Sequence, residues 1–310
     1  MNVFVTGISG QLGHDTMFEL VRRGHNAWGT TRRMTEEFPV ASRALGFKTP
    51  ASSLCILDLS DEATVKATIE ELKPDAIIHC AAWTGVDAAE EPENYKAVYG
   101  ANVLATRYIA EAAQSVGAKM VYLSTDYVFG GEGDCPWKAD DKGYAPLNVY
   151  GQSKLDGEFE VSHKLDKFYV VRTAWVFGKN GKNFIKTMLN VGKTHDTVRV
   201  VNDQIGTPTY TVDLARLLVD IIETEKYGYY HATNEGGYIS WYDFAKEIYS
   251  QVGLNTEIIP VTTAEYGLRK AKRPFNSRLD KSKLVENGFI PLPTWTDALH
   301  RYLIEIGELE

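Results

Sequence analysis

Short apolar runs alternate with amphipathic stretches along the first half of the chain. The apolar runs are bounded by glycine, proline or polar residues, which predicts buried strands. They lie at residues 2–6, 25–30, 54–58, 76–82 and 119–124. Apolar residues at helical spacing lie between them, after Gly10, from Asp61 to Leu72 and from Asn94 to Val116. Because strands alternate with helices, we expect an α/β fold, a doubly wound parallel sheet with helices on both faces.

The second half is less regular, and its segments are shorter. Its pattern predicts helices at 183–191, 212–223 and 240–252 and strands at 198–201 and 229–232. We expect residues 1–174 to form the larger domain, with 197–223 returning to it. Residues 175–196 and 224–310 then form a smaller α/β region that binds substrate.

Composition narrows the classes of partner. The net charge of −8 over 310 residues argues against broad contact with nucleic acid or an anionic membrane surface. No apolar run approaches the ~20 residues of a transmembrane helix. Cys55, Cys80 and Cys135 are an odd number without close spacing, so neither a disulfide framework nor a zinc pattern is visible. These features indicate a reduced, cytoplasmic protein.

Three glycines follow the first predicted strand. Gly7, Gly10 and Gly13 are spaced Gly-x-x-Gly-x-x-Gly and lead into a helical pattern. A strand, a glycine turn and a helix N-terminus form a phosphate cradle, since the backbone can approach the anion and free N–H groups face it. The alternative is a tight turn that holds no ligand. The position directly after the first strand favours a dinucleotide.

The residues after the second predicted strand bear on the type of cofactor. An NAD site usually has an acid here to bind the ribose 2′-hydroxyl, but this chain has Thr30, Thr31, Arg32 and Arg33. Two guanidiniums suit a 2′-phosphate, which favours NADPH, with NADH as the other possibility. The alternative is that both arginines are merely solvated. At later strand ends, Asp58 could meet the adenine, and small Ala81 and Ala82 leave room for a flat ligand.

Tyr150 and Lys154 are four residues apart on a predicted helix and so share a face. A nearby ammonium favours the phenolate and draws the pKa of the tyrosine toward neutrality, which suits proton delivery to a ketone. The fifth strand ends at Thr125, whose hydroxyl should reach the same crevice. The alternative is a solvated helix face.

These motifs together resemble the extended short-chain dehydrogenase/reductases. Several longer sequence segments resemble the dTDP-4-dehydrorhamnose reductase family. The likeness runs nearly end to end. The segments that carry the resemblance are Ala81–Asp87, Ser124–Phe129, Pro146–Gly151, Arg172–Trp175, Asn183-Phe184, Asn202–Thr209, Ser240–Ala245 and Arg273-Pro274. One departure is the segment between the second strand and Asp58. It is long for this family, and we expect a helix with loops over 34–52.

The resemblance implies a Rossmann-type fold and NADPH-dependent reduction of the 4-keto group of dTDP-6-deoxy-L-lyxo-4-hexulose to dTDP-L-rhamnose. Tyr150 would donate the proton, Lys154 would hold the nicotinamide ribose, and Thr125 would bond the substrate oxygen. The expected cofactor contacts are Gly7, Gly10, Gln11, Leu12, Gly13, Thr31, Arg32, Arg33, Asp58, Leu59, Ala81, Ala82, Thr84, Asn102, Tyr150 and Lys154. The expected substrate contacts are Val86, Asp126, Tyr127, Trp175, Asn183 and Arg273. A homodimer is compatible with the resemblance, and no motif carries a metal over.

Other functions stay open at this point. A reductase of another nucleotide sugar or an epimerase would use the same motifs. A dehydratase usually has an Asp-Glu pair beside the strand-five hydroxyl. Here Thr125 is followed by Asp126 and Tyr127, which argues against elimination of water. A non-catalytic regulatory subunit would be favoured by loss of Tyr150 or Lys154, and both are present. The basic residues Lys270, Lys272 and Arg273 suit a pyrophosphate, or form a solvated face.

Overall fold

A seven-stranded parallel sheet forms the centre of the computed structural model, which describes residues 1–32, 53–267 and 270–310. The strands of the sheet are β1 (Asn2–Thr6), β2 (Asn26–Thr31), β3 (Ser53–Ile56), β4 (Ala76–His79), β5 (Lys119–Thr125), β6 (Phe168–Thr173) and β8 (Gly228–His231). Their order is β8-β6-β5-β4-β1-β2-β3, and every pair is parallel. The strand order reverses between β1 and β4, where doubly wound sheets bind their ligands. The expected α/β fold is confirmed.

Helices cover both faces of this sheet. They are α1 (Gln11–Arg22), α2 (Glu62–Leu72), α3 (Tyr95–Val116), α4 (Val149–Ser162) and α6 (Thr211–Ile222). Val3 and Val5 point into a core with the helices α1 and α6, whereas Phe4 points into a second core with α2 and α3. This division follows from the two-residue period of a strand, because β1 is apolar on both faces.

A smaller lobe is built from the second half of the chain. Its main elements are α5 (Phe184–Gly192), β7 (Thr197–Val201), α7 (Trp241–Val252), β9 (Glu257–Val261) and α8 (Trp295–Glu305). β7 and β9 pair in parallel as a separate ribbon. Aromatic residues fill the core of this lobe, where Phe177, Tyr210 and Phe244 lie close to Tyr302 and Trp295. No helix in the described ranges is long and apolar enough to cross a membrane.

Two strands belong to a different part of the fold from the one in which they were expected. β8 was placed with the substrate region, but it is the edge strand of the main sheet beside β6. β7 was placed with the larger domain, but it pairs with β9, and its Val200 belongs to the core of the smaller lobe. Residues 34–52, where a helix with loops was expected, lie outside the described residues. The two-domain division itself stays a prediction.

Helix α4 packs unusually close to the sheet at Gly157. A Cβ atom at this position would overlap Tyr122 Oη and the backbone oxygen of Asn102. Glycine therefore lets α4 lie directly on β5 and α3. Gly100, in contrast, lies in a helical conformation with nothing within 4 Å of an added Cβ atom.

We expect Gly157→Ala to lower the free energy of unfolding by about 1–3 kcal/mol, because the helix must move away from its neighbours. Gly100→Ala is the matched control and should be neutral or stabilise by up to about 1 kcal/mol, since alanine favours the helix. Thermal unfolding followed by circular dichroism measures both. Equal melting temperatures for the two variants would contradict this packing argument.

Candidate active site

The glycine turn after β1 is held against the neighbouring strands. The Gly7 backbone N–H donates to Thr30 O at 3.0 Å, and Gly10 N–H donates to Gly7 O at 3.0 Å. Gly7 has φ of +71°, and an added Cβ would lie 2.7 Å from Ala81 N. At Gly13, an added Cβ would lie 2.4 Å from Gly7 O. These contacts require glycine, and they bring the backbone close enough to hold a pyrophosphate.

Helix α1 begins at this turn without a side-chain cap. Gly10 is the N-cap residue and has no side chain to bond the first N–H groups. These groups and the helix dipole are therefore available to an anion. Leu12 is partly buried against the core beneath the turn. The turn fits a dinucleotide phosphate on geometry as well as on sequence.

The edge after β2 carries the residues expected to select the cofactor. Thr31 is buried and its Oγ1 lies 3.4 Å from Ser9 Oγ in the glycine turn. Arg32 is exposed and lies near Asp58, whose pKa is lowered first by hydrogen bonds from Ser60 and also by the charge of Arg32. Arg33 lies outside the described residues. An exposed cation here is compatible with a 2′-phosphate.

Buried polar groups join β1, β4 and α3 beneath the crevice. His79 Nδ1 lies 2.7 Å from Thr6 Oγ1, and His79 Nε2 lies 3.1 Å from Thr106 Oγ1. Burial lowers the pKa of His79 to about 3, with a further contribution from the Lys154 charge. The imidazole is therefore neutral at pH 7. Ala81 N–H also donates to Thr6 Oγ1, at 3.1 Å, which fixes the loop after β4.

Asn102 lies in a π-helical turn, Gly100–Leu104, inside α3. Its Oδ1 accepts from Trp83 N–H at 2.7 Å, and its Nδ2 donates to Trp83 O at 3.1 Å and to Ser153 Oγ at 2.8 Å. Ser153 Oγ in turn donates to Tyr150 O at 2.7 Å. We expected Asn102 to contact the cofactor. Its amide ties the loop after β4, where Ala82 and exposed Thr84 lie, to the helix that carries Tyr150, and its contact with the cofactor stays a prediction.

Thr125 and Tyr150 meet at the carboxyl end of β5. Thr125 ends the strand, and Asn148 caps helix α4 by accepting the Gly151 N–H at 2.7 Å. Burial and the Asp126 charge raise the pKa of Tyr150, and a hydrogen bond with Thr125 opposes them. The predicted convergence of these two hydroxyls is present.

Lys154 lies one turn further along the same helix face, and its side chain is buried. Its Nζ lies 4.1 Å from the centroid of the Tyr122 ring. Burial lowers the pKa of Lys154 to about 7, and the Glu158 charge opposes this. We expected Lys154 to lower the pKa of Tyr150. In this structure burial and Asp126 dominate, and the ammonium faces Tyr122.

Residues 1–307 match the family described as RmlD substrate binding domain. The dTDP-4-dehydrorhamnose reductase of Streptomyces griseus is 39% identical over 95% of this chain and 90% of its own. The spore coat polysaccharide biosynthesis protein SpsK of Bacillus subtilis is 37% identical over 98% and 97%.

A solved structure is equally similar. The dTDP-4-dehydrorhamnose reductase of Bacillus anthracis, in complex with NADP, is 38% identical, covers 98% of this chain and 99% of its own, and superposes with a TM-score of 0.85. The chain belongs to the dTDP-4-dehydrorhamnose reductase family.

The side of the crevice expected to hold the sugar nucleotide in this family contains a carboxylate and a guanidinium. Burial raises the pKa of Asp126 to about 6, and its Oδ1 accepts from Thr125 Oγ1 at 2.9 Å. Among the described residues, its other oxygen has no hydrogen-bond partner. Arg273 bonds both oxygens of Asp87 at 3.1 and 2.7 Å. Burial opposes the charge of Arg273, but Asp87 and, after it, Tyr127 raise its pKa. The expected residues Asp126, Tyr127 and Arg273 thus lie together.

Tyr127 also contacts Tyr150. The Tyr127 and Tyr150 rings lie 5.8 Å apart, edge to face. Val86, in the loop just before Asp87, is partly exposed. Of the other basic residues, Lys270 pairs with Glu91, and the Lys272 backbone oxygen accepts from Asn148 Nδ2 at 2.8 Å. Asp87 was not among the expected site residues, although it is the last residue of the segment Ala81–Asp87 that resembles the family.

Trp175 and Asn183 come from the smaller lobe, and their surroundings differ. Trp175 has φ of +50°, a conformation that is uncommon outside glycine, and its ring stacks 3.7 Å from that of Trp241. The sequence did not single out Trp241 for this position. Such strain is often found where a side chain must be aimed at a ligand.

Asn183 caps helix α5 by accepting the Lys186 N–H at 3.1 Å. Its Nδ2 lies within hydrogen-bond distance of Gln11 Oε1, Gly178 O and Tyr302 Oη. We expected Asn183 to bind substrate and Gln11 to bind cofactor. In the structure the two side chains join α1 to the smaller lobe, and their contacts with substrate and cofactor stay predictions. Leu59 packs in the core beside α2, below the adenine side of the crevice.

We expect Arg32→Ala to weaken NADPH binding about tenfold or more while changing NADH binding little, because a lost ion pair to phosphate is worth about 1.5–3 kcal/mol. Arg22→Ala is the control, since Arg22 is exposed and pairs with Glu19 at the far end of α1. Fluorescence titration with each cofactor gives the dissociation constants. Equal losses for NADPH and NADH would refute the 2′-phosphate argument.

Proposed function

We propose that this protein reduces the 4-keto group of dTDP-6-deoxy-L-lyxo-4-hexulose to dTDP-L-rhamnose with NADPH. The observation that supports this most strongly is the convergence of Thr125, Tyr150 and Lys154 beside the glycine turn. A phenol, a hydroxyl and a cation at the end of one crevice would suit reduction of a ketone. The membership of the family supplies the substrate class.

NADPH, when bound, supplies the hydride, and the glycine turn with the start of α1 would hold its pyrophosphate. The residues of this chain then have distinct tasks. Thr125 Oγ would hydrogen-bond the ketone oxygen and orient it. Tyr150 Oη would donate its proton to that oxygen as it becomes an alkoxide. The raised pKa keeps Tyr150 protonated before the transfer, as a proton donor requires.

Lys154 would act on both the ribose and Tyr150. Once Tyr150 has lost its proton, a nearby ammonium stabilises the phenolate that remains. The pKa of Lys154, lowered by burial to about 7, places this charge near its midpoint at neutral pH. Activity should therefore decline as the pH rises through the pKa of Lys154, because the deprotonated amine no longer stabilises the phenolate.

Asp126, Tyr127 and Arg273 would line the sugar-nucleotide side. Arg273 has the planar guanidinium that suits a diphosphate, and its pairing with Asp87 sets it in place. Trp175 would form the opposite wall. A pyrophosphate handle of this kind supports a nucleotide-activated sugar over a free sugar.

We expect oxidation of NADPH with the dTDP-4-keto-6-deoxy sugar, and Tyr150→Phe should lower kcat by about 10²-fold or more because the phenol proton is lost. NADPH affinity should change little, since the ring remains. The assay measures absorbance at the reduced nicotinamide band, with UDP- and GDP-linked 4-keto sugars as parallel substrates. Tyr95→Phe is the matched control, because Tyr95 is exposed at the start of α3.

Unchanged turnover in Tyr150→Phe would overturn its assigned role. A preference for the UDP or GDP sugar would keep the reductase assignment but replace the substrate with another nucleotide-activated 4-keto sugar.

A further inference from the structure

A fully buried ion pair lies directly behind the catalytic lysine. The side chains of Arg172, on β6, and Glu158, on α4, are both 0% exposed. Arg172 Nε donates to Glu158 Oε1 at 2.8 Å, and Arg172 Nη2 donates to Oε2 at 2.7 Å. This is the bidentate geometry of the stronger arginine–carboxylate pairs.

Both charges have further partners, which a buried ion pair needs in order to persist. Ser124 Oγ donates to Glu158 Oε1 at 2.5 Å. The remaining guanidinium N–H groups reach Ala139 O and Tyr144 Oη, each at 3.1 Å, and the guanidinium lies 5.0 Å from the Phe129 ring centroid. Burial opposes the charge on Arg172, but the Glu158 bonds outweigh it and raise the pKa of Arg172. Three donors from two side chains, Arg172 and Ser124, thus converge on the two oxygens of Glu158.

The position of Glu158 relates it to the chemistry. Tyr150, Lys154 and Glu158 follow one another at four-residue intervals on α4 and share one face. Glu158 therefore lies one helical turn from the ammonium. Arg172 reaches the same carboxyl group from β6.

The groups facing Lys154 come from three elements. Tyr122 on β5 presents its ring face, and His79 and Cys80 lie at the end of β4. Burial keeps the latter two neutral at pH 7, since it lowers the pKa of His79 to about 3 and raises that of Cys80 to about 12. Among the groups in the described ranges that act on Lys154, Glu158 is the one that belongs to an ion pair.

We propose that Glu158 is a positioning residue for the reaction, whose buried carboxylate, fixed by Arg172 and Ser124, keeps Lys154 charged in a site that excludes water. This inference rests on the proposed role of Lys154. Arg172 then serves the reaction indirectly, because its guanidinium compensates the buried carboxyl group of Glu158. A purely structural ion pair would hold α4 on the sheet without affecting the charge of Lys154.

The test is the pH profile of kcat/KM for the double variant Glu158→Gln with Arg172→Met. Removing both members avoids leaving Arg172 buried and unpaired, and such paired replacements are often tolerated. We expect the alkaline limb of the profile to move down by roughly 1 pH unit, as for the loss of one close opposite charge. At a pH above the alkaline limbs of both proteins, kcat/KM of the double variant should be about tenfold lower than that of the wild type. Glu158→Asp, which keeps the charge, should retain the wild-type limb.

The matched control is Glu160→Gln with Arg107→Met. Glu160 lies on the same helix as Glu158, and its Oε1 pairs with Arg107 Nη2 of α3 at 2.6 Å, but Arg107 is 37% exposed. This double variant should keep the wild-type profile. Circular dichroism and NADPH binding show whether each variant is folded. Glu158→Leu with Arg172→Met is a second pair that removes the same charges should the first fail to fold.

The outcomes separate this inference from the proposed function. A folded double variant with the wild-type alkaline limb would overturn the inference about Glu158. Lys154→Met is run beside it and should lose most activity. If Lys154→Met keeps the wild-type rate and profile, the proposed role of Lys154 fails, and the inference fails with it. If Lys154→Met is inactive while the double variant is unchanged, the inference about Glu158 fails alone.

Discussion

Helix α4 buries polar side chains where most helices of an α/β protein bury apolar ones. Ser153, Lys154 and Glu158 are all buried on the face that meets the sheet. A buried polar group without a partner destabilises a fold, so every element around α4 must supply one. β5 supplies Ser124 and Tyr122, β6 supplies Arg172, and α3 supplies Asn102. The crevice exists in this form because these partners are in place.

The same constraint orders the electrostatics of the site. Within the described residues, the charges near Tyr150 and Lys154 are few, and their signs alternate with depth. Asp126 lies beside Tyr150, Lys154 lies one turn below, Glu158 lies another turn below, and Arg172 closes the series. In surroundings that exclude water, each of these charges acts strongly on its neighbour. Burial and the Asp126 charge thereby raise the pKa of Tyr150, while the pKa of Lys154 is lowered to about 7.

Much of the fold was predictable from the sequence, because local patterns determine it. The alternation of apolar runs predicted the strands of the main sheet, and Gly7 and Gly13 proved to be in contacts that admit no side chain. The topology alone brought Thr125 to Tyr150. The destinations of β7 and β8 were not predictable, because short strands reveal their partners only through tertiary pairing. Segment 34–52 and Arg33 lie outside the described residues and stay predictions.

The site was harder to predict where one residue type can serve two purposes. An asparagine can bind a ligand or cap a helix, and Asn183 and Asn102 both bond the backbone and neighbouring side chains. The π turn that aims Asn102 has no marked sequence signal apart from Gly100. The pKa of Tyr150 depends on burial, which spacing on a helix does not reveal. Glu158 could have been noticed, since its four-residue spacing from Lys154 is visible in the sequence.

The account depends on delivery of a hydride to the sugar ketone and a proton to its oxygen. The most direct measurement uses NADPH that carries deuterium at the transferable position, with dTDP-6-deoxy-L-lyxo-4-hexulose as substrate. The account predicts dTDP-L-rhamnose labelled at C4 of the sugar, with one deuterium incorporated for each NADPH oxidised, as seen by NMR. Oxidation of NADPH without label at that carbon, or a labelled product reduced elsewhere on the ring, would contradict it.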